Sequence, residues 1–312
     1  MDDHKAYLAR AARAFQNKPV GVILERIKAI VGPNNMPPIE QSKLAEEALD
    51  RMQNGKKPTP RQLAALEFVI RLMRPVPLSR AGALDALDAK VAPSFPDWGG
   101  FQTSIKPHLY SVGRIDLWPK EGVGTGWLVS DGVLVTNRHV LDVLSKGTGQ
   151  LEKGQAVVRF KFEAGMPDEE EPANITGVLA VHEELDVALL TVDKQTFTDA
   201  RKPLELDTAP IEEGHPVVAV GYPFDDSKRN PLFISALFGG TFGVKRAAPG
   251  ECSGRGAKSI FHDCSTLGGN SGSPIFSMKT GRVVGLHRDG YFLYRNEAVD
   301  GASLDAFIRP RL

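Results

Sequence analysis

The stretch "CSTLGGNSGSP", residues 264–274, crowds three glycines and a proline around Ser271. Glycine suits positions where the backbone takes a positive φ or comes close to another group. Such a cluster is an ordinary surface turn, or it is a loop whose N–H groups converge on a developing oxyanion beside a nucleophilic hydroxyl. The second use requires a base, and a group that orients the base. His139 follows "GVLVTN", an apolar run that ends in small polar residues and could present an imidazole to a cleft. It equally fits a histidine satisfied within the structure. Asp186 stands before the apolar run "VALLTV", where a carboxylate can turn or cap the chain. It could also accept an imidazole N–H, fix the tautomer and stabilise the imidazolium. The three follow one another at intervals of 47 and 85 residues. Together they would suit acyl transfer, with Ser271 attacking, His139 moving the proton and Asp186 orienting His139.

Those side chains need a rigid frame, and the second part of the chain supplies candidates for it. "SVGRIDLW", "GTGWLVS", "GVLVTNRHV", "AVVRFKF", "ITGVLAVH", "DVALLTV", "PVVAVGYP" and "GRVVGLH" are short β-branched runs separated by turns. Many short strands without intervening helices predict an all-β barrel or sandwich. Residues 1–95 have a different texture. "PVGVILERIKAIVG" places Val22, Ile23, Ile27, Ile30 and Val31 at helical spacing and stops at Gly32. "IEQSKLAEEALDRMQNG" repeats the pattern with Leu44, Ala48, Leu49 and Met52 and ends at Asn54-Gly55, a suitable C-cap. "TPRQLAALEFVIRLMRP" opens with Thr59 as N-cap, Pro60 at the first helical position and Gln62 closing a capping box. Its stripe is Leu63, Leu66, Ile70 and Met73. Three helices, with a weaker one at each end, predict a small bundle. Proline and glycine gather in "VAPSFPDWGG", residues 91–100, as at a domain boundary. The expected division is a helical interaction or regulatory domain over 1–95 and a β domain over 96–312. The helical domain is expected to be separable.

The 312 residues are 42% hydrophobic and 24% charged, ordinary values for a globular chain. Lys plus Arg and Asp plus Glu number 38 each, so net charge advertises neither a nucleic-acid nor a membrane partner. Residues 1–95 hold 15 basic and 10 acidic side chains, a mild asymmetry that suits two parts docking on each other. No apolar h-region opens the chain and no run reaches the ~18 residues of a membrane span, which points to a cytoplasmic protein. Cys252 and Cys264 make no disulfide framework at this length, and free thiols are expected. "DEEEP", residues 168–172, reads as a solvated loop, with a calcium loop as the lesser alternative. No metal or cofactor is called for.

"GTGWLVSDGVLVTNRHV", "LDVALL" and "GGNSGSPIF" resemble the three motif blocks of the trypsin-like serine peptidases. The nearest resemblance is to the bacterial glutamyl-endopeptidase branch, and it covers roughly residues 100–309. It implies a mainly β, chymotrypsin-like pair of six-stranded barrels with the site in the cleft between them. In that likeness Ser271 is the nucleophile, His139 the general base, Asp186 its orienter, and the N–H groups of Gly269 and Ser271 the oxyanion hole. Gly268 and Gly269 would let the chain turn there. The position at which trypsin carries an acidic residue is Ser265, which disfavours a basic preference, although Asp263 lies two residues away. The branch's carboxylate-binding threonine and histidine correspond to Thr266 and His287, which implies cleavage after Glu or Asp. A small or apolar preference is the alternative.

The disulfides of the animal enzymes are absent, and with 41 residues after Ser271 no PDZ-like domain is expected in this sequence. The helical front lies outside the family pattern and distantly resembles helical adaptor modules beside peptidases in bacterial signalling and defence proteins. That likeness implies a regulated effector acting on a protein or peptide substrate, with residues 1–95 taking a regulatory protein partner. A peptide-binding module that kept the barrels and lost turnover is the competing reading.

Overall fold

The four helices at the front are α1 (Asp3–Phe15), α2 (Val20–Val31), α3 (Ile39–Gln53) and α4 (Pro60–Leu72). This computed structural model describes residues 3–15, 18–32, 36–87, 89, 91–166, 172–194, 201–226, 231–291 and 295–312. The side chains of Ile30 and Val31, and "DEEEP" apart from Pro172, lie outside what is described. Local signals start and stop the helices as their chemistry dictates. The Thr59 hydroxyl accepts the Gln62 N–H at 3.3 Å while the Gln62 side chain accepts the Thr59 N–H at 2.9 Å, a closed capping box on α4. Ile23 and Ile27, Ala45, Ala48 and Met52, and Leu66 and Ile70 are buried, whereas Val22 is 47% exposed.

Helix α4 is not the one-sided helix its apolar stripe predicts. Glu67 and Arg71, on another face, are as buried as Leu66 and Ile70. A helix hidden all round lies between two partners. One partner is the bundle; the other is the β-structure. The weaker helix expected after α4 does not form. Instead Ser79–Arg80 (β1) and Ala83–Leu84 (β2) make a two-stranded hairpin. Its backbone bonds to Ala164 and Lys245 bring it against the β-structure.

A short helix α5 (Trp98–Ile105) leads into the strands. The first closed barrel has β3 (Val112–Leu117), β4 (Glu121–Ser130), β5 (Val133–Thr136), β6 (Ala156–Arg159), β7 (Ala173–His182) and β8 (Val187–Val192), in the order β3-β4-β5-β8-β7-β6. Helix α6 (Arg138–Leu144) interrupts it after β5. The second barrel has β9 (Pro216–Gly221), β10 (Arg246–Arg255), β11 (Ser259–His262), β12 (Pro274–Ser277), β13 (Val283–Tyr291) and β14 (Arg295–Asp300), closed in the order β10-β11-β14-β13-β12-β9. Helix α7 (Pro231–Phe238) precedes β10, and α8 (Gly301–Ile308) follows β14. Every barrel pairing is antiparallel. This is the mainly β double barrel that the three sequence blocks imply. One apolar cluster joins the barrels, running from Trp127 and Val135 to Val220 and Phe276, with Phe101 of α5 inside it.

A second cluster joins the helices to the second barrel. Phe15, Ile27, Met52, Leu66 and Ile70 share it with Val217, Ile260, Ile275 and Val284. Buried charge reinforces that junction. Arg74, just past α4, pairs with Asp263, and Arg10 Nη1 lies 3.5 Å from the same carboxylate. Arg10 also pairs with Glu67, whose other oxygen accepts from Arg71 Nε at 2.9 Å. Burial alone would raise the Asp263 carboxyl, but Arg74 and Arg10 outweigh it and hold it below the usual carboxylate range.

The expectation of a separable front meets this shared core. A chain beginning at residue 96 would uncover the Ile260 and Val284 side of the cluster and leave Asp263 without its two arginines. Such a chain is expected to be insoluble or to unfold well below the full-length protein, as circular dichroism against temperature would show. Cys252 and Cys264 are free, buried thiols, pushed up by burial to about 11 and about 12, so neither is a reactive thiolate at neutral pH. Activity is therefore expected to be the same with and without a reducing agent in a peptide-cleavage assay.

Candidate active site

Asp186 occupies the turn before β8 with φ +58, a left-handed conformation that aspartate tolerates better than most residues. The turn is held from three sides. Its carbonyl accepts from the Arg138 N–H at 3.1 Å and from Asn137 Nδ2 at 3.0 Å, and its own N–H donates to Glu183. The carboxylate is thereby aimed at the first turn of α6. Its Oδ1 accepts the His139 N–H at 2.9 Å, an acid satisfying a helix N-terminus from outside. Its Oδ2 lies 2.7 Å from His139 Nδ1. A carboxylate oxygen accepts, so in the neutral ring Nδ1 carries the proton and Nε2 the lone pair. His139 therefore sits on a helix rather than at the strand end, and its ring is 45% exposed.

The Ser271 loop belongs to the second barrel and is tied to the first through Thr125 of β4. Thr125 N–H donates to the Ser271 carbonyl at 2.8 Å, and its hydroxyl donates to the Gly269 carbonyl at 2.7 Å. Thr136 in turn donates to the Thr125 carbonyl at 2.7 Å. Within the loop, Asn270 Oδ1 accepts the Leu267 N–H and Asn270 Nδ2 donates to Ser273. Two glycines are required by this path. Gly269 has φ +88, and a Cβ there would collide with the Tyr222 carbonyl. Gly272 has φ +86, and a Cβ would strike the Thr125 carbonyl. Gly268 faces open space, so the turn is made by Gly269 and not by the Gly268–Gly269 pair. The N–H groups of Gly269 and Ser271 donate to no acceptor among the described residues. An oxyanion between them would find two unspent donors.

His139, Asp186 and Ser271 line one cleft of about 570 Å³, with Thr266, Leu267 and His287 along its wall. No hydrogen bond joins Ser271 to His139 among the described residues. Ser265 is buried with its hydroxyl unpartnered and does not line the cleft, and Asp263 is turned into the arginine network. Thr266 gives its proton to Asn296 Oδ1 at 3.0 Å. His287 is held by backbone bonds to the Ser271 loop: its N–H donates to Ser273 and its carbonyl accepts from Gly272, both at 2.9 Å.

Sequence reasoning missed His262, whose Nε2 lies 3.2 Å from His287 Nδ1. No motif marks it, because β11 and β13 are brought to either side of β14 only by the closed barrel. Burial lowers His287 to about 3, with His139 adding to the effect, and burial followed by His287 lowers His262 well below its ordinary value. Both rings are neutral at neutral pH. Arg288 and Glu297, at the cleft edge, pair at 2.5 Å and cancel each other. Among the described residues no group of three or more His, Cys, Asp or Glu side chains is placed to hold a metal, and no helix is long and apolar enough to cross a membrane.

Comparison with known proteins gives this geometry a family. The Do-like protease 3 assigned to mitochondria in Arabidopsis thaliana is 29% identical over 56% of this chain, which spans only 27% of that protein's length. A probable serine protease of Lysobacter enzymogenes is 26% identical, with 74% of this chain and 70% of the relative covered. Among solved structures, the serine endoprotease from Yersinia pestis shares the fold with a TM-score of 0.50 at 16% identity, covering 67% of this chain and 65% of that one. The trypsin-like peptidase domain matches residues 124–286, from the strand that carries Thr125 to the residue before His287. That is just over half of the chain, which belongs to the trypsin-like peptidases.

Proposed function

We propose that this chain is a serine endopeptidase that works through Ser271, His139 and Asp186 and cleaves after glutamate or aspartate. The observation that carries the first part is the 2.7 Å bond from His139 Nδ1 to Asp186, in the cleft that Ser271 lines. His139 Nε2 takes the Ser271 proton as Oγ attacks the peptide carbonyl, then gives it to the departing amine. Water repeats the sequence to release the acyl group from Ser271. The Gly269 and Ser271 N–H groups receive the oxyanion, and such donors contribute roughly 2.7–4 kcal/mol each. Ser271→Ala is expected to lower kcat on the order of a millionfold, and the Ser271→Ala/His139→Ala double variant to be little worse than either single one. Peptide hydrolysis, with a fluorophosphonate label reporting on Ser271, checks this. A peptide-binding module without turnover would bind and leave the label unreacted.

Support for the acidic preference comes from the histidine pair. His262 Nδ1 is buried without a partner. A stranded N–H is a full unmet donor, so the arrangement of lower cost leaves Nδ1 bare and puts the His262 proton on Nε2. His262 then donates to His287 Nδ1, and His287 carries its own proton on Nε2. A neutral imidazole N–H at the pocket wall is a donor for a substrate carboxylate. The Thr266 hydroxyl can rotate from Asn296 to become a second.

The helical front and the coverage of a bacterial relative support a further reading, that of a regulated bacterial effector protease. Residues 1–95 would then take a regulatory partner.

Peptides differing only in the residue before the scissile bond test the pocket. Wild type is expected to favour Glu over Leu in kcat/KM, and His287→Ala to lower that ratio by about tenfold or more. The ratio is expected to stay level from pH 8 to pH 5. A free-enzyme pKa of about 3 keeps His287 uncharged across that range, and an N–H donor takes up no proton on binding. A preference for small or apolar residues would overturn the acidic assignment.

A further inference from the structure

The partner of the pocket histidine lies at the start of the segment that the helical front grips. His262 ends β11, and Asp263, Cys264 and Ser265 lead from it to the pocket wall at Thr266 and Leu267. Asp263 is wholly buried between Arg74 and Arg10, and its Oδ1 also accepts the Glu251 N–H at 2.7 Å. The next carbonyl, that of Cys264, accepts from Arg71 Nη1 at 3.4 Å and from Asn296 Nδ2 at 2.6 Å. Asn296 is the acceptor for the Thr266 hydroxyl. Two consecutive residues behind the pocket, Asp263 and Cys264, are therefore engaged by side chains from α1, α4 and the residues just after α4.

Arg71 Nη2, a donor, and His262 Nδ1 are among the buried atoms of this junction without a hydrogen-bond partner. The Arg71 charge acts on His262 and disfavours a proton there. That helps keep His262 neutral, with one ring proton to share with His287. Arg71 itself is kept in place by Glu67, which Arg10 also engages.

We infer that Arg71 is a positioning residue for the specificity pocket, holding the His262–Cys264 segment from α4 so that His262 keeps His287 as an N–H donor toward the substrate. The inference rests on the pocket assignment above and adds that a helix outside the peptidase fold sets the chemistry of the pocket. Arg71 touches neither substrate nor the reacting atoms. Its loss should therefore appear in the choice of substrate and not in the reactivity of Ser271.

The experiment uses the full chain carrying Arg71→Met. Two readouts are taken: kcat and KM for peptides differing only in the residue before the scissile bond, and the rate of labelling by a small fluorophosphonate. The expected result is a fall of about tenfold in the ratio between the preferred and the Leu peptide, carried mainly by KM. Labelling is expected to stay within about twofold of wild type. A ratio unchanged from wild type in a normally labelled variant overturns the inference. If Arg71→Met does not fold, Arg71→Lys, which keeps the charge and loses the planar fork, makes the same comparison with the same two outcomes. The pocket assignment fails separately, if wild type itself shows no acidic preference. In that case a changed profile in the variant still supports Arg71 as a positioning residue, and an unchanged profile overturns it.

Discussion

A cleft whose histidine, aspartate and serine are divided between two barrels depends on the seam between them, and the fixed point of that seam is Thr125. His139 and Asp186 come from the first barrel and Ser271 from the second, so no single sheet sets their separation. Thr125 closes the gap with a backbone bond to the Ser271 carbonyl and a side-chain bond to the Gly269 carbonyl. Its own carbonyl is held by Thr136, one residue before the Asn137 that caps α6. The path from the Ser271 loop to His139 thus runs through a few short hydrogen bonds in a buried setting. Reactive geometry is sensitive to displacements of about 1 Å, which gives such a buried, redundant seam its value. The glycines follow from it. Gly272 and Gly269 are bare because the Thr125 and Tyr222 carbonyls stand where a Cβ would be.

Much of this was legible in the sequence, and the illegible part has a common cause. Short β-branched runs without intervening helices pointed to barrels, and Thr59, Pro60 and Gln62 pointed to the start of α4, because strand patterning and capping are local. The three blocks around His139, Asp186 and Ser271 indicated a shared cleft through their likeness to a family, and their residues do line one. What could not be read depends on which surfaces meet. Glu67, Arg71 and Arg74 recur at helical spacing, as the charges of a solvated face do, yet all three are buried in one network of arginines and carboxylates. Asp263 lies near the pocket in sequence and is turned away from it in space. Ser265 occupies the position of a family pocket residue and is buried off the cleft. His262 became part of the site only when barrel closure set its strand two places from that of His287.

The junction between helices and barrel is both apolar and ionic, and the two components do different work. The apolar cluster supplies the non-directional drive to associate. The arginines and carboxylates add little net stability, since each charge must leave water to be paired. They do define one register. A helix that slid by a turn against the second barrel would leave Asp263 or Glu67 charged and alone, at a penalty the apolar contacts could not offset. The junction is therefore better described as keyed than as merely sticky, and the key lies directly behind the pocket wall.

The span of that junction along the chain also sets the order in which the molecule can be completed. Arg13 and Glu251 are 238 positions apart, and Arg71 and Cys264 are 193 apart. During synthesis at about 5–20 residues per second, α1 and α4 emerge roughly ten to fifty seconds before the strands they must cover. Throughout that interval the front helices carry buried-type arginines with nothing to bury them against, so they cannot settle into their final packing ahead of the barrels. Contacts of such long range are the slowest to form. The ribosome thus releases helices that are made before the strands they cover yet are among the last elements to dock, and the wall behind the cleft is finished only when segments 193 and 238 positions apart have found each other.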